Sequence, residues 1–135
     1  MPGISKSNAA QHRDFGPVED WSEDVNGYTI NFATFKVDID SAPMLRGLPD
    51  GRCSCPHWGY VLKGRVVFTF ADHEEIHEAG DAFHVPAGHL QRADAGTEYV
   101  QFSPADELRI VSEAIAGNMA EDAGDPMMLT LTVHA

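Results

Sequence analysis

Gly80-Asp81-Ala82-Phe83-His84-Val85-Pro86-Ala87-Gly88-His89 is the stretch that decides the fold of this chain. Two glycines bracket it, and each permits a tight turn that a side chain would resist. Between them Ala82 to Val85 suffices for one short strand. Pro86 then fixes a corner, because it lacks the N–H that a continuing ladder needs. Upstream, Tyr60-Val61-Leu62-Lys63-Gly64-Arg65-Val66 reads the same way: a strand run, a Lys-Gly turn and a second run.

Working outward, the runs His57 to Leu62, Val66 to Phe70, Glu75 to Glu78, Ala82 to Val85, His89 to Ala93 and Thr97 to Phe102 are all strand-like. Turn residues separate them at Lys63-Gly64, Asp72-His73, Gly80-Asp81, Pro86-Ala87-Gly88 and Asp94-Ala95-Gly96. Short strands at this spacing predict an antiparallel sandwich or barrel. Before them, Tyr28, Ile30 and Phe32 alternate with polar neighbours, and Phe35, Val37 and Ile39 alternate in the opposite phase. A change of buried face near Ala33-Thr34 predicts a bulge or a barrel corner there. Ser41 to Gly51 reads as a loop.

After the strands, Ser103-Pro104-Ala105-Asp106-Glu107 reads as a helix start with a Ser cap, an early Pro and acids at the positive end of the dipole. Leu108, Val111, Ile115 and Met119 give that helix one apolar side, running to about Gly117 or beyond. Leu129, Leu131 and Val133 then alternate as a final strand, placed to join an N-terminal strand or a second subunit, which predicts a homodimer.

The two stretches quoted first resemble the motifs of the cupin superfamily. The Gly, five residues, Pro-x-Gly of Gly80 to Gly88 is similar to its second motif, and Tyr60 to Val66 to the end of its first. Together they span thirty residues, Tyr60 to His89. The resemblance implies an all-β, cupin-type jelly-roll β-barrel with one C-terminal helix. The expected division is a flexible arm over 1–22, the barrel over 23–103, and a helix and strand over 104–135 packing on the barrel or a partner subunit.

Cupin motifs supply two His and one Glu from the first and one His from the second, all to a divalent metal. This chain departs from that set. His57 stands where the Glu is usual, Cys53 and Cys55 precede it in place of the His pair, Gln91 occupies the second His position, and His89 sits two residues earlier. Some small bacterial cupins have a similar arrangement of Cys, His-x-Gly-Tyr-Val-Leu-x-Gly and Pro-x-Gly-His. If the strand faces inward at His57, period two also turns Cys55 inward, and Cys53 where the strand reaches that far; His89 and Gln91 share a face across the barrel. The candidate metal ligands are therefore His57, His89, Cys53, Cys55 and Gln91. Thiolate and imidazole suit Zn²⁺ or Fe²⁺ better than Mg²⁺ or Ca²⁺.

Those residues also admit a bland account, since Cys is often simply buried and a His beside a turn often serves backbone groups. His73 and His77 lie in a charged hairpin and read as solvated. His84 could face the interior or the outside, and Trp58 and Tyr60 fall on the face opposite His57. Arg65 and Arg92 read as exposed, with an anionic ligand as the other option.

Composition narrows the function classes. A formal charge of −12 over 135 residues repels phosphate backbones and anionic lipids, which argues against nucleic acid and membrane as partners. The opening twenty residues contain no apolar leader, and Cys53 and Cys55, one residue apart, could bridge only by bending the backbone; both point to a reducing cytoplasm. Dinucleotide and phosphate-cradling glycine motifs and a Gly-x-Ser-x-Gly elbow are absent from the sequence. What remains is a metal-binding enzyme working on a small organic molecule by oxidation, isomerisation or cyclisation, or a metal-free protein that binds or senses one.

Overall fold

The computed structural model describes residues 3–123. Among the described residues ten strands form two antiparallel sheets. They are β1 (Gln11–Asp14), β2 (Val18–Val25), β3 (Tyr28–Phe35), β4 (Ile39–Asp40), β5 (His57–Lys63), β6 (Arg65–Thr69), β7 (Glu74–Glu78), β8 (Ala82–Val85), β9 (Leu90–Ala93) and β10 (Glu98–Pro104), followed by helix α1 (Ala105–Ala123). The six-stranded sheet has the order β1-β2-β3-β10-β5-β8 and the four-stranded sheet β4-β9-β6-β7. This is a jelly roll, and the strands expected from His57 onward are present to within a residue or two.

The inner faces meet in a core of Ala33, Phe35, Ile39, Val61, Val66, Phe68, Phe83, Val85, Ala93 and Tyr99. Close packing explains two glycines. A methyl group at Gly59 would collide with the Phe83 ring and the Val100 carbonyl. Gly64 has φ +76° and lies against Thr97, whose hydroxyl accepts from the Arg65 N–H and donates to the Arg65 carbonyl. The β5–β6 turn is thus tied to the start of β10.

Three expectations need correction. The stretch 1–22, expected to lack regular structure, contains β1 and most of β2, and β2 pairs with β3 from Val18↔Phe35 to Val25↔Tyr28. Charged residues hid it, because strand pairing depends on a partner that a local reading does not see. The switch at Ala33-Thr34 does not occur either: β3 is continuous in register with both neighbours, and its inward residues are Asn31, Ala33 and Phe35 throughout. Buried Asn31 broke the expected pattern; its side chain donates to Asp20 at 2.8 Å. Ser103, finally, is no helix cap, since β10 runs on through Pro104.

Helix α1 packs as its periodicity predicts. Val111 is buried with Leu45, Cys53 and Cys55, and Leu108 and Ile115 complete this second cluster. Asn118 locks the contact by donating to the carbonyls of Met44 and Arg46 at 2.7 and 2.8 Å. These belong to a 3₁₀ turn over Ala42–Leu45 and the residue after it, in the expected loop. The strand expected over Leu129 to Val133 lies outside the described residues.

Candidate metal centre

His57 opens β5 and alternates with the exposed Trp58, so the inward face of the strand is His57, Gly59 and Val61. Cys53, before β5, is held by a two-way backbone link to the other tract: its N–H donates to the His89 carbonyl at 2.9 Å and its own carbonyl accepts from Gly88 at 2.8 Å. The Pro-x-Gly corner therefore pins His89 beside the Cys53 loop. Cys53, His57 and His89 are 6%, 5% and 2% exposed. One ligand atom from each lies within 4.8 Å of the others.

Hydrogen bonds decide which ring nitrogens face the centre. His89 Nδ1 lies 2.8 Å from the Pro86 carbonyl, which can only accept, so the proton sits on Nδ1 and Nε2 keeps its lone pair. His57 Nδ1 lies 2.7 Å from Ser103 Oγ. Cys55 Sγ donates to the Pro56 carbonyl at 3.3 Å. With its proton on Nδ1, as in His89, His57 donates to Ser103 Oγ. His57 Nε2 is left facing Cys53 Sγ at 3.7 Å.

The surroundings keep the group neutral. Burial pulls His57 down to about 3, with His89 beside it adding to the effect, and burial also lowers His89. Burial raises the Cys53 thiol, against a smaller opposing hydrogen bond from Cys55. Cys55 is pushed up to about 12, by burial first and then by the charges of Cys53 and Glu107. The His57 and His89 rings meet edge-on at 5.1 Å, and Phe68 and Phe70 flank His89 at 5.3 and 6.4 Å. The wall is aromatic.

The donor set fits a soft metal ion. A thiolate bonded at about 2.3 Å and an imidazole at about 2.0 Å stand about 3.6 Å apart around one tetrahedral ion, close to the observed 3.7 Å between Cys53 and His57. Of the five residues anticipated, the structure brings together three. Cys55 is buried but turned towards Ser103 and the helix α1 cluster. Gln91 points inward and spends its amide on Tyr99, donating to the phenol at 3.0 Å.

Other positions are also settled. His84 faces outward and stacks on Trp58 at 4.8 Å. His73 is exposed between Asp72 and Glu75. His77 is a correction: its ring packs on Phe68 and Phe83, because β7 turns it inward opposite Val66. Sequence reasoning missed Ser103, although counting back in twos from it along β10 gives the buried Gln101 and Tyr99. A groove of about 300 Å³ lies away from the cluster, on the outer side of the four-stranded sheet between Asp38, Asp40, Arg65, Arg92 and Asp94. Arg65 and Arg92 are both exposed there, paired with Asp94 and Glu74.

No protein-family model and no curated protein matches the chain. Among solved structures it is similar to a protein of unknown function from Rhizobium leguminosarum, with TM-score 0.55 and 15% identity over 76% of this chain and 94% of that one. It is likewise similar to an RmlC-like cupin from Shewanella frigidimarina, with TM-score 0.53 and 17% identity over 77% and 92%. A putative ethanolamine utilization protein from Salmonella typhimurium gives TM-score 0.50 and 14% identity over 69% and 77%. At such identities the likeness speaks for architecture alone.

Proposed function

The chain has a cupin fold, and on that premise we propose that it is a metal-binding protein whose centre is Cys53, His57 and His89. The observation that supports this is the convergence of one thiol and two imidazole nitrogens within 4.8 Å. Bound there, a transition metal would act as a Lewis acid or activate a small ligand. The protein's own part is positional. Ser103 and the Pro86 carbonyl hold the two ring protons away from the centre, Phe68 and Phe70 exclude water, and Cys53 surrenders its thiol proton on binding. We propose that the substrate is a small organic molecule, turned over by oxidation, isomerisation or cyclisation.

A second reading, metal-free binding or sensing of a small molecule, is favoured by the lack of a fourth converging side chain among the described residues and by the burial of Cys55 without a role at the centre. Metal analysis of protein purified without a His tag separates the two. About one equivalent, lost in Cys53→Ser, is the expected result; metal-free wild type that shows no thermal shift with any transition metal would leave the second reading.

We also propose a homodimer. Supporting it are Trp58, Tyr60, Leu62 and Phe102, large apolar side chains exposed on the outer face of the six-stranded sheet, with Trp58 directly opposite Phe102. A one-chain mass in solution at every concentration would overturn this.

A further inference from the structure

Resting on the metal-centre reading, we propose that Cys53, His57 and His89 form a three-coordinate site for monovalent copper. Coordination number and charge point the same way. Zn²⁺ fills a fourth position, with a protein side chain in structural sites and with water in catalytic ones, whereas the described residues bring only three donors together, with neither an Asp nor a Glu among them and with Phe68 and Phe70 against them. Cys55, the obvious fourth, is occupied elsewhere: its sulfur donates to the Pro56 carbonyl at 3.3 Å and packs in the cluster under helix α1. Swinging it inward would cost the Pro56 carbonyl that partner and take the side chain out of the cluster.

Charge then selects the ion. Two neutral imidazoles and one thiolate amount to −1, so a monovalent ion makes the centre neutral and a divalent ion leaves it at +1. A net charge in a pocket walled by Phe68 and Phe70, with all three donors 6% exposed or less, is costly without a counterion. Soft thiolate and imidazole donors are also those that select Cu(I). On binding, the Cys53 S–H proton leaves to solvent, an S–Cu bond replaces it, and no electron changes hands. The aromatic contacts and the Ser103 and Pro86 bonds hold the donors near one another, and on binding the Cys53 thiol gives up its 3.6 Å contact with the Cys55 carbonyl.

The test is an anaerobic titration of the reduced chain with Cu(I) against a chromophoric Cu(I) chelator, with Zn²⁺ titrated in parallel, and copper-edge X-ray absorption on the loaded wild type. The expected result is one Cu(I) per chain, a shell of one sulfur and two nitrogens, and binding at least a thousandfold tighter than Zn²⁺. Cys55→Ser should keep Cu(I) affinity within threefold, and Cys53→Ser should lose it by a hundredfold or more. A shell with two sulfurs, or Zn²⁺ bound at one equivalent as tightly as Cu(I), overturns the copper assignment while leaving a metal centre standing. Failure of both ions to bind stoichiometrically overturns the metal-centre reading itself.

Discussion

Ser103 shows how much a single hydroxyl decides. It is fully buried and accepts a hydrogen bond from His57 Nδ1 at 2.7 Å. Ser103→Ala would strand a buried imidazole N–H, at a cost of about 1–3 kcal/mol. By freeing the ring to turn, it would also lower metal affinity about 10–100-fold. Denaturant unfolding and a competition titration check this, and wild-type values in both would contradict it. The two histidines also set a pH dependence for the metal-free protein. His57 is held near 3 against 6.5 when unfolded, so between those values the unfolded chain binds the extra proton. Stability is therefore full above about pH 6.5 and falls as pH drops towards 3, by up to about 1.4 kcal/mol per pH unit for one such group. His89, lowered too, adds to the fall, whereas half-buried Asp20, raised by desolvation, opposes it at the acid end. Thermal melts across pH 4–7 should show this loss, and it should shrink in His57→Gln; a flat profile would contradict the burial of His57. Strand parity was enough to turn His57 inward, whereas Cys53 lies before β5 and is positioned by its backbone bridge to His89. Parity could not separate Cys55 from Cys53, since that difference is a side-chain rotation set by Pro56 and Ser103.

At the scale of elements, turns and strands were readable where the pattern is local. Gly64 and Gly80, at φ +76° and +96°, occupy the turns that the sequence marks. Gly64→Ala should destabilise by more than about 1 kcal/mol, because the backbone is left-handed there and Thr97 lies against it. β1 and β2 were not readable, since charged stretches become strands only through β3. The face of β3 was misread because a polar pair, Asn31 and Asp20, lies where alternation expected apolar residues. Helix α1 was readable from its 3.6 period, and the structure adds that its apolar side covers the loop bearing Cys53 and Cys55. Val111→Ala, removing two methyl groups at a buried position, should cost about 1–3 kcal/mol. It should also speed thiol labelling of Cys53 and Cys55 in the metal-free protein. Unchanged labelling would mean that the helix does not guard the loop.

For the whole molecule, the jelly roll brings together two tracts thirty residues apart in sequence, and the Cys53–His89 backbone bridge joins them directly. That convergence underlies every functional statement above. An ion bound only by the folded state stabilises it by an amount that grows with the logarithm of its excess over Kd, about 2.7 kcal/mol at a hundredfold excess. The most direct measurement is therefore the thermal midpoint of the chain with and without one equivalent of metal, in wild type and in His89→Ala. The account predicts a rise of several degrees in wild type, reversed by a chelator and absent in the variant. Equal midpoints in wild type with and without metal, for every transition metal offered, would contradict it.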